Sequence, residues 1–341
     1  MVKISVVIPI YNMEQYIDNG IKQILKEDLT DVEIILVNDG SSDRSGQICD
    51  NYLKKSNKIR VIHKKNGGAG SARNSGIDSA NGKYIMFLDI DDIVEKDIFK
   101  KMYEEIESSK VDLVICNHNI IKENEIVKNV KNIESTYIVE GVESCRKSYV
   151  NLLQKSLIQT PWDKIYKLDL IRKNNIRFTD LRRCQDAVFN CNYFNYVKSY
   201  KVLNESLYNY KENNLRDEWL KFPKNYFDIC VSLDNSYMSS IKKWGVMDED
   251  KNKYLCGYFI DQVTQCFKYS FSPKWGIDSR ERKKYIKEVV SHERVQEAIN
   301  IYEPYSLYKR IIAFFIKTKN VTAIDFIVKV NLFFKLKLVK K

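Results

Sequence analysis

Phe87-Leu88-Asp89-Ile90-Asp91-Asp92 closes an apolar run that begins at Tyr84, and it sets three carboxylates within four positions. The run Tyr84 to Leu88 is short and apolar and reads as a buried parallel strand. Downstream, Phe99, Met102, Tyr103 and Ile106 recur at helical spacing between Glu95 and Lys110. Three acids at a strand exit repel one another unless positive charge lies among them. A hard divalent cation shared with substrate phosphates meets that need. A turn whose aspartates cap the next helix needs no ligand at all. This stretch alone leaves both readings open.

Upstream of it, strands and helices alternate with short connections. Strand patterns cover Val2–Pro9, Val32–Val37 and Ile59–His63, and helical patterns cover Glu14–Leu25, Gly46–Lys55 and Ser71–Ala80, the last stopped by Asn81-Gly82. The order predicts an α/β fold with a mixed, mostly parallel sheet flanked by helices. Ligands of such sheets bind beyond the carboxyl ends of the strands. Tyr11-Asn12, Asn38-Asp39-Gly40-Ser41, Asn66-Gly67-Gly68 and the acidic triplet all fall at those ends, which predicts one site along that edge. A further strand pattern runs from Val111 to Cys116, after which the regularity fades. Thr160 to Leu170 and Asp180 to Asn195 hold the next polar groups able to face the cleft. Beyond residue 213 the pattern is helical, aromatic and charged. We therefore expect a domain over 1–212, with halves 1–110 and 111–212, and a helical extension over 213–341 that ends in a basic tail, 305–341.

The 341 residues have room for two domains and a sizeable core. With 44% hydrophobic and 30% charged residues, the chain is an ordinary globular protein and not a disordered one. Eight scattered cysteines without a C-x-x-C pair, and only three histidines, argue against a zinc site. The apolar stretch Ile4 to Ile10 is too short for a secretory leader, so reduced thiols in the cytoplasm are expected. The tail 305–341 carries nine basic residues and one acid, Asp325, and so holds +8 of the net charge of +11. The body is nearly neutral and its expected cleft is acidic. Nucleic-acid binders instead spread positive charge and aromatics over a face, so no nucleic acid is expected as partner. The rival to an enzyme is a non-catalytic nucleotide- or nucleic-acid-binding protein that uses the tail.

Two familiar phosphate motifs fail. Gly67-Gly68-Ala69-Gly70-Ser71-Ala72-Arg73 offers Gly-x-Gly, but Arg73 stands where a dinucleotide fold needs a small residue for helix–strand packing. A phosphate loop is excluded because Gly76 and Gly82 are misspaced and Tyr84 follows Lys83. Arg73 lies in the first turn of a helix opened by glycines, where it suits a pyrophosphate or the acidic cluster, or simply solvent. Asp39 either forms a turn that caps the next helix or accepts from a base N–H or ribose hydroxyl.

Four segments in order give a family resemblance: Ser5-Val6-Val7-Ile8-Pro9-Ile10-Tyr11-Asn12, the stretch Ile34 to Asp43, Asn66-Gly67-Gly68 through Ala72-Arg73-Asn74-Ser75-Gly76, and Leu88 to Asp92. Together they resemble the inverting family 2 glycosyltransferases with a GT-A fold. The likeness weakens after residue 120 and revives at Pro161 to Tyr166 and Gln185 to Asn190. It implies that 1–110 binds a nucleotide-sugar donor, most often a uridine diphosphate sugar, and that 111–212 binds the acceptor. By it, Pro9, Tyr11 and Asp39 hold the base and ribose, with Arg73 nearby. Asp89 and Asp91 form an Asp-x-Asp pair for Mn²⁺ or Mg²⁺, with Asp91 as the main metal ligand and Asp89 nearer the ribose. Asp92 is structural or supports the metal ligands from behind, and Asp186 is the general base. Two departures stand out: Asn38 replaces the usual first Asp, and Gln185 replaces the Glu before the base. The implied setting is a bacterial surface polysaccharide, with a glycan or lipid-linked glycan as acceptor.

Trp162 stacks on an acceptor sugar or is half-buried core beside Pro161. The tail's longest apolar run, Ile311 to Ile316, is far short of the roughly 20 residues of a spanning helix. Its interleaved cations and apolar residues suit a helix on an anionic membrane surface, placing the protein at the inner face of the cell membrane. The alternatives are a hairpin packed on the body or a contact in a homo-oligomer.

Overall fold

The computed structural model describes residues 2–26, 31–122, 125–130, 133–212 and 222–338, with the backbone alone at 125–130 and 334–338. The chain divides into two compact units, Met1–Glu212 and Asn213–Lys341. The segment 213–221, where the expected helical extension begins, lies outside the described residues.

The first unit opens with β1 (Ile4–Ile10), α1 (Glu14–Leu25), β2 (Val32–Asn38), α2 (Ser45–Lys55), β3 (Ile59–His63), α3 (Ala69–Ser79) and β4 (Tyr84–Phe87). There follow β5 (Ile93–Val94), α4 (Ile98–Ser109), β6 (Leu113–Lys122), β7 (Glu125–Val130), β8 (Tyr137–Glu140) and α5 (Val142–Gln154). It ends with β9 (Lys164–Lys167), α6 (Leu168–Lys173), α7 (Gln185–Phe194) and β10 (Ser199–Lys211). The sheet order is β3-β2-β1-β4-β9-β6-β10-β5, with β7 added to β6 and β8 to β10.

β1 to β4 pair in parallel, as the alternating pattern predicts. Their side chains are mostly apolar because both faces are covered, and the polar exceptions inside β1 and β2, Ser5 and Glu33, hydrogen-bond to each other at 2.6 Å. Val6, Ile8, Leu36 and Met86 pack with Ile17 and Ile21 of α1 and Phe99 and Met102 of α4. On the other face α3 comes so close that a Cβ on Gly76 would lie 2.2 Å from Val7. Order 3-2-1-4 creates a switch point between β1 and β4, and a ligand crevice opens where helices leave opposite faces.

β9 then enters antiparallel between β4 and β6, and β10 runs parallel to β6. These two strands are absent from the sequence reading, and each hides for a physical reason. β9 has only four residues, and two of them are Lys. β10 carries register shifts against β6 that interrupt its alternation.

The second unit is helical: α8 (Tyr226–Lys243), α9 (Glu249–Tyr269), α10 (Ser279–Ser291), α11 (Glu293–Ile301), α12 (Leu307–Lys317) and α13 (Val321–Leu338). Asp278 and Glu281 form a reciprocal cap at the start of α10. Arg294 forks onto Asp234 at 2.6 and 3.2 Å, so the charge that α8 buries is matched from α11.

Candidate active site

The loops that follow β1 and β2 are tied to each other side chain to backbone. Asn12, at φ 52°, accepts the Ser42 amide at 2.8 Å and gives its own N–H to Ser41 Oγ at 3.1 Å. The Met13 amide donates to Ser45 Oγ at 2.8 Å. Asp43 accepts the Glu14 amide at 3.1 Å and the Ser45 amide at 2.9 Å, and so caps the first turns of both α1 and α2. Against the upward pull of burial, donors from Ser45 and Glu14 hold the Asp43 carboxyl below its usual range.

Asp39 sits one residue past β2 with its side chain 3% exposed. Its oxygens accept Lys64 Nζ at 2.7 Å, the Gly68 amide at 2.7 Å and the Gly67 amide at 3.0 and 3.1 Å. Gly68 lies at φ 87°, a conformation that favours glycine and brings these amides around the carboxylate. The residue expected to hold a base or ribose therefore organises the glycine loop in this conformation. Pro9 lies near the end of β1 and Tyr11 just past it, 49% exposed at the rim, and the Asp39 amide donates to the Ile10 carbonyl at 2.8 Å. Asn38, one position earlier, contacts His63 Nδ1 at 2.9 Å and accepts the Ser41 amide at 3.1 Å. An amide there joins the two loops without adding a third carboxylate to them.

The deeper part of the edge is organised by Arg73. Its guanidinium reaches Asp186 at 2.7 Å and Asp89 at 2.9 Å, and it lies over the Phe178 ring at 5.4 Å. One buried cation thus joins the second turn of α3, a helix that begins two residues earlier than the sequence pattern indicates, to the exit of β4 and the first turn of α7. Burial would lower its pKa, but Asp186 and Asp89 raise it. For Asp186, burial raises the carboxyl above its ordinary value and Asp89 adds to this, while Arg73 pulls it down. Its side chain is still 29% exposed and that of Asp89 is 32% exposed. A partly exposed carboxylate with a raised pKa suits proton transfer. Gln185 is buried beside it, with Oε1 only 2.1 Å from where a Cβ on Gly70 would be. Its amide packs on α3 and adds no third negative charge.

The acidic triplet divides by partner. Asp92 is buried, accepting Tyr208 Oη–H at 2.6 Å and the Lys211 amide at 2.8 Å. Burial, then the charges of Asp89 and Asp91, push its carboxyl well above the usual range. It anchors β10 to the acidic turn, the structural role expected of it. Tyr208 also receives the Asp89 amide at 3.3 Å, so this tyrosine props the turn from below. Neither Tyr208 nor Lys64 is a candidate in the sequence, because no motif marks β10 and the motif at the exit of β3 begins only at Asn66.

Asp91 is half-buried on the same turn. Among the described residues, no group of three or more His, Cys, Asp or Glu side chains is set to enclose a metal. With Asp92 committed to β10, Asp91 and Asp89 remain as hard oxygen donors. That set fits a cation held by one or two carboxylates and completed by phosphate and water.

The stacking role expected of Trp162 is corrected by its surroundings. The ring is 6% exposed, lies parallel to Tyr208 at 4.3 Å and Tyr210 at 5.7 Å, and meets the edge of His118 at 4.7 Å. It is core, and its aromatic neighbours occupy the contacts an acceptor sugar would need. Below it Asp163, fully buried, is held by Lys164 and by Thr160 Oγ1 at 3.1 Å. Pro161 to Tyr166 therefore reads as scaffold.

Comparison with known proteins places these features. Residues 5–170 match the model of glycosyl transferase family 2. The chain is 32% identical over 312 residues to the uncharacterised glycosyltransferase EpsJ of Bacillus subtilis, covering 87% of this chain and 86% of that one. It is 33% identical over 218 residues to the glycosyltransferase GlyG of Streptococcus pneumoniae, covering 62% and 71%. Among solved structures, Staphylococcus aureus TarS 1–349 in complex with UDP superposes with a TM-score of 0.68 at 20% identity, over 96% of this chain and 90% of that one.

Proposed function

The chain belongs to the family 2 glycosyltransferases, and from that premise we propose that it moves a sugar from a uridine diphosphate donor to a hydroxyl of a growing bacterial surface glycan carried on a lipid. As a member of that family it is a transferase, which sets aside the non-catalytic binding reading. Solved complexes of TarS with UDP and with UDP-GlcNAc support the donor class, and TarS, a poly(ribitol-phosphate) beta-N-acetylglucosaminyltransferase, supports a surface polymer as acceptor.

The observation that carries the chemistry is the Arg73 bridge between Asp89 and Asp186. It supports a geometry in which donor phosphates meet the acidic turn while the acceptor hydroxyl meets Asp186. Asp186 takes the hydroxyl proton as the new bond from oxygen to the anomeric carbon forms. The bond from that carbon to the diphosphate breaks on the opposite side, UDP leaves, and the configuration inverts. Arg73 keeps Asp186 oriented and balances its charge. Pro9 and Tyr11 frame the base at the rim, and Asp39, which accepts the Gly67 and Gly68 amides, fixes the glycine loop beside the donor. Mn²⁺ or Mg²⁺ held by Asp91 and Asp89 would supply Lewis-acid stabilisation of the leaving diphosphate.

Donor hydrolysis across a panel of nucleotide sugars, with Mn²⁺, with Mg²⁺ and after exhaustive chelation, tests this reading. Turnover of a uridine diphosphate sugar that depends on the metal and collapses in Asp91→Asn is expected. Undiminished turnover after chelation would remove the metal from the proposal, and turnover only of other nucleotides would remove the uridine.

A further inference from the structure

The C-terminal helical pair is amphipathic on its outer side as well as its inner one. α12 buries Ile312 and Ile316, yet leaves Leu307 73%, Ile311 39% and Phe314 60% exposed, spaced i, i+4 and i+7 along one stripe. α13 repeats the arrangement: Ile324 and Val328 are buried, while Phe326, Val330 and Phe333 are 66%, 37% and 54% exposed at the same spacing. The two helices pack against each other. Six large apolar side chains left open on adjoining helices mark an interaction surface.

The charges around these stripes have one sign. Arg310, Lys317, Lys319 and Lys329 are exposed. Lys309 is not available, because its ammonium is held by Asp261 at 2.6 Å and Thr264 at 3.1 Å. The one acid beyond residue 304, Asp325, is buried against Arg282 at 2.6 Å. Lys335, Lys337, Lys340 and Lys341 also belong to the basic tail, but their side chains lie outside the described residues. Among the described residues the outer side of the pair therefore shows apolar stripes and cations and no carboxylate.

We propose that α12 and α13 form a docking surface for an anionic lipid leaflet, with both stripes entering the headgroup boundary and the exposed cations resting on lipid phosphates. A second copy of the chain is a poorer occupant, since it would press one set of cations against another. No helix among the described residues is long and apolar enough to cross a membrane, so the pair lies on the leaflet. The binding is independent of the transfer chemistry. Its use, which is to hold the enzyme beside a lipid-linked acceptor, rests on the function proposed above.

The test is flotation of the full chain with vesicles of phosphatidylcholine alone and of phosphatidylcholine mixed equally with phosphatidylglycerol. The wild type should float with the anionic vesicles and be released by high salt. Each cation near such a leaflet contributes about fivefold to partitioning, so Arg310→Gln/Lys317→Gln/Lys319→Gln should weaken it about 10²-fold. Phe314→Ser/Phe326→Ser/Phe333→Ser should weaken it as well and leave hydrolysis of a soluble donor unchanged, which shows that the exposed substitutions keep the fold. A wild type that stays unbound, or variants that float equally well, would overturn the proposal. So would a dimer, seen by light scattering without vesicle binding, that the phenylalanine variant dissociates. Flotation without turnover of any donor would support the docking and count against the proposed chemistry.

Discussion

Asp39 and Asp43, beyond β2, have their oxygens filled by Lys64 and by backbone amides, and the Asp39 side chain is 3% exposed. Asp89, past the end of β4, and Asp186, in the first turn of α7, share a single guanidinium and keep 32% and 29% of their side chains in solvent. The first pair completes hydrogen bonds that the loop backbone cannot make for itself. The second pair holds charge in reserve beside an open cleft. Substitutions in the two regions should therefore fail differently: at the floor through chemistry, and at the rim through loop order and stability.

The largest effect is expected at the floor. Asp186→Asn preserves size and removes the proton acceptor, and transfer should fall about 10²–10⁴-fold, as for other lost acid–base groups. Donor affinity, read by calorimetry, should change little. Because burial and Asp89 raise the Asp186 carboxyl, the proposed base takes up its proton at a higher pH than a solvated aspartate does. Activity should therefore be present at neutral pH and be lost as pH falls, with a midpoint above that of a solvated aspartate. A midpoint at or below the solvated value, or donor affinity lost with transfer kept, would move Asp186 out of the base role.

Arg73→Met comes next and tests whether the floor is held by one cation. It leaves Asp89 and Asp186 facing each other beside a buried apolar side chain. Breaking a buried ion pair costs about 3–5 kcal/mol. Both acids are a third exposed and solvent-screened here, so about 2–3 kcal/mol is expected in urea unfolding. Arg73→Lys should recover part of that loss, since an ammonium offers charge but not two diverging N–H groups. If both variants unfold like the wild type, the bridge does not hold the floor.

The sequence makes the first region legible and the second only in part. β1 to β4 announce themselves because strands covered on both faces are rich in apolar residues, and their polar exits then stand out at Asn38, Gly67 and Asp89. The likeness of Gln185 to Asn190 to a known motif picks out Asp186, but no spacing shows that Arg73 reaches it across 113 positions of chain. Trp162 misleads because an indole beside a proline looks the same in sequence whether it faces a sugar or Tyr208. Tyr208 and Lys64 stay hidden because they act through hydrogen bonds to residues distant in sequence, from a bulged strand and a strand exit.

At the rim, Asp39→Asn keeps the shape and removes the charge that Lys64 and the glycine amides share. One of the two oxygens becomes a donor facing donors, and about 1–3 kcal/mol of stability should be lost. Affinity for UDP should fall with it, because the Gly67–Gly68 turn loses its anchor. Unchanged stability with reduced UDP affinity would instead mean that Asp39 exchanges Lys64 for the nucleotide when the donor binds.

The smallest effect isolates backbone strain from hydrogen bonding. Asn12 holds φ 52° at an exposed position, accepting the Ser42 amide at 2.8 Å. Asn12→Gly removes the acceptor but tolerates the left-handed backbone. Asn12→Ala removes the acceptor and must also enter a region where a Cβ costs about 1 kcal/mol or more. Water can replace the lost bond at this exposed site, so the glycine variant should lose well under 1 kcal/mol, toward the low end for a hydrogen bond. The alanine variant should lose about 1 kcal/mol more than glycine, by the backbone cost alone. Both should leave the pH dependence of transfer untouched, because neither touches Arg73 or Asp186. Urea unfolding of the two variants together with their pH–rate profiles gives the comparison. Equal stabilities would show that the rim relaxes around Asn12. A shifted pH profile would show that rim and floor are coupled, and would break the division between them.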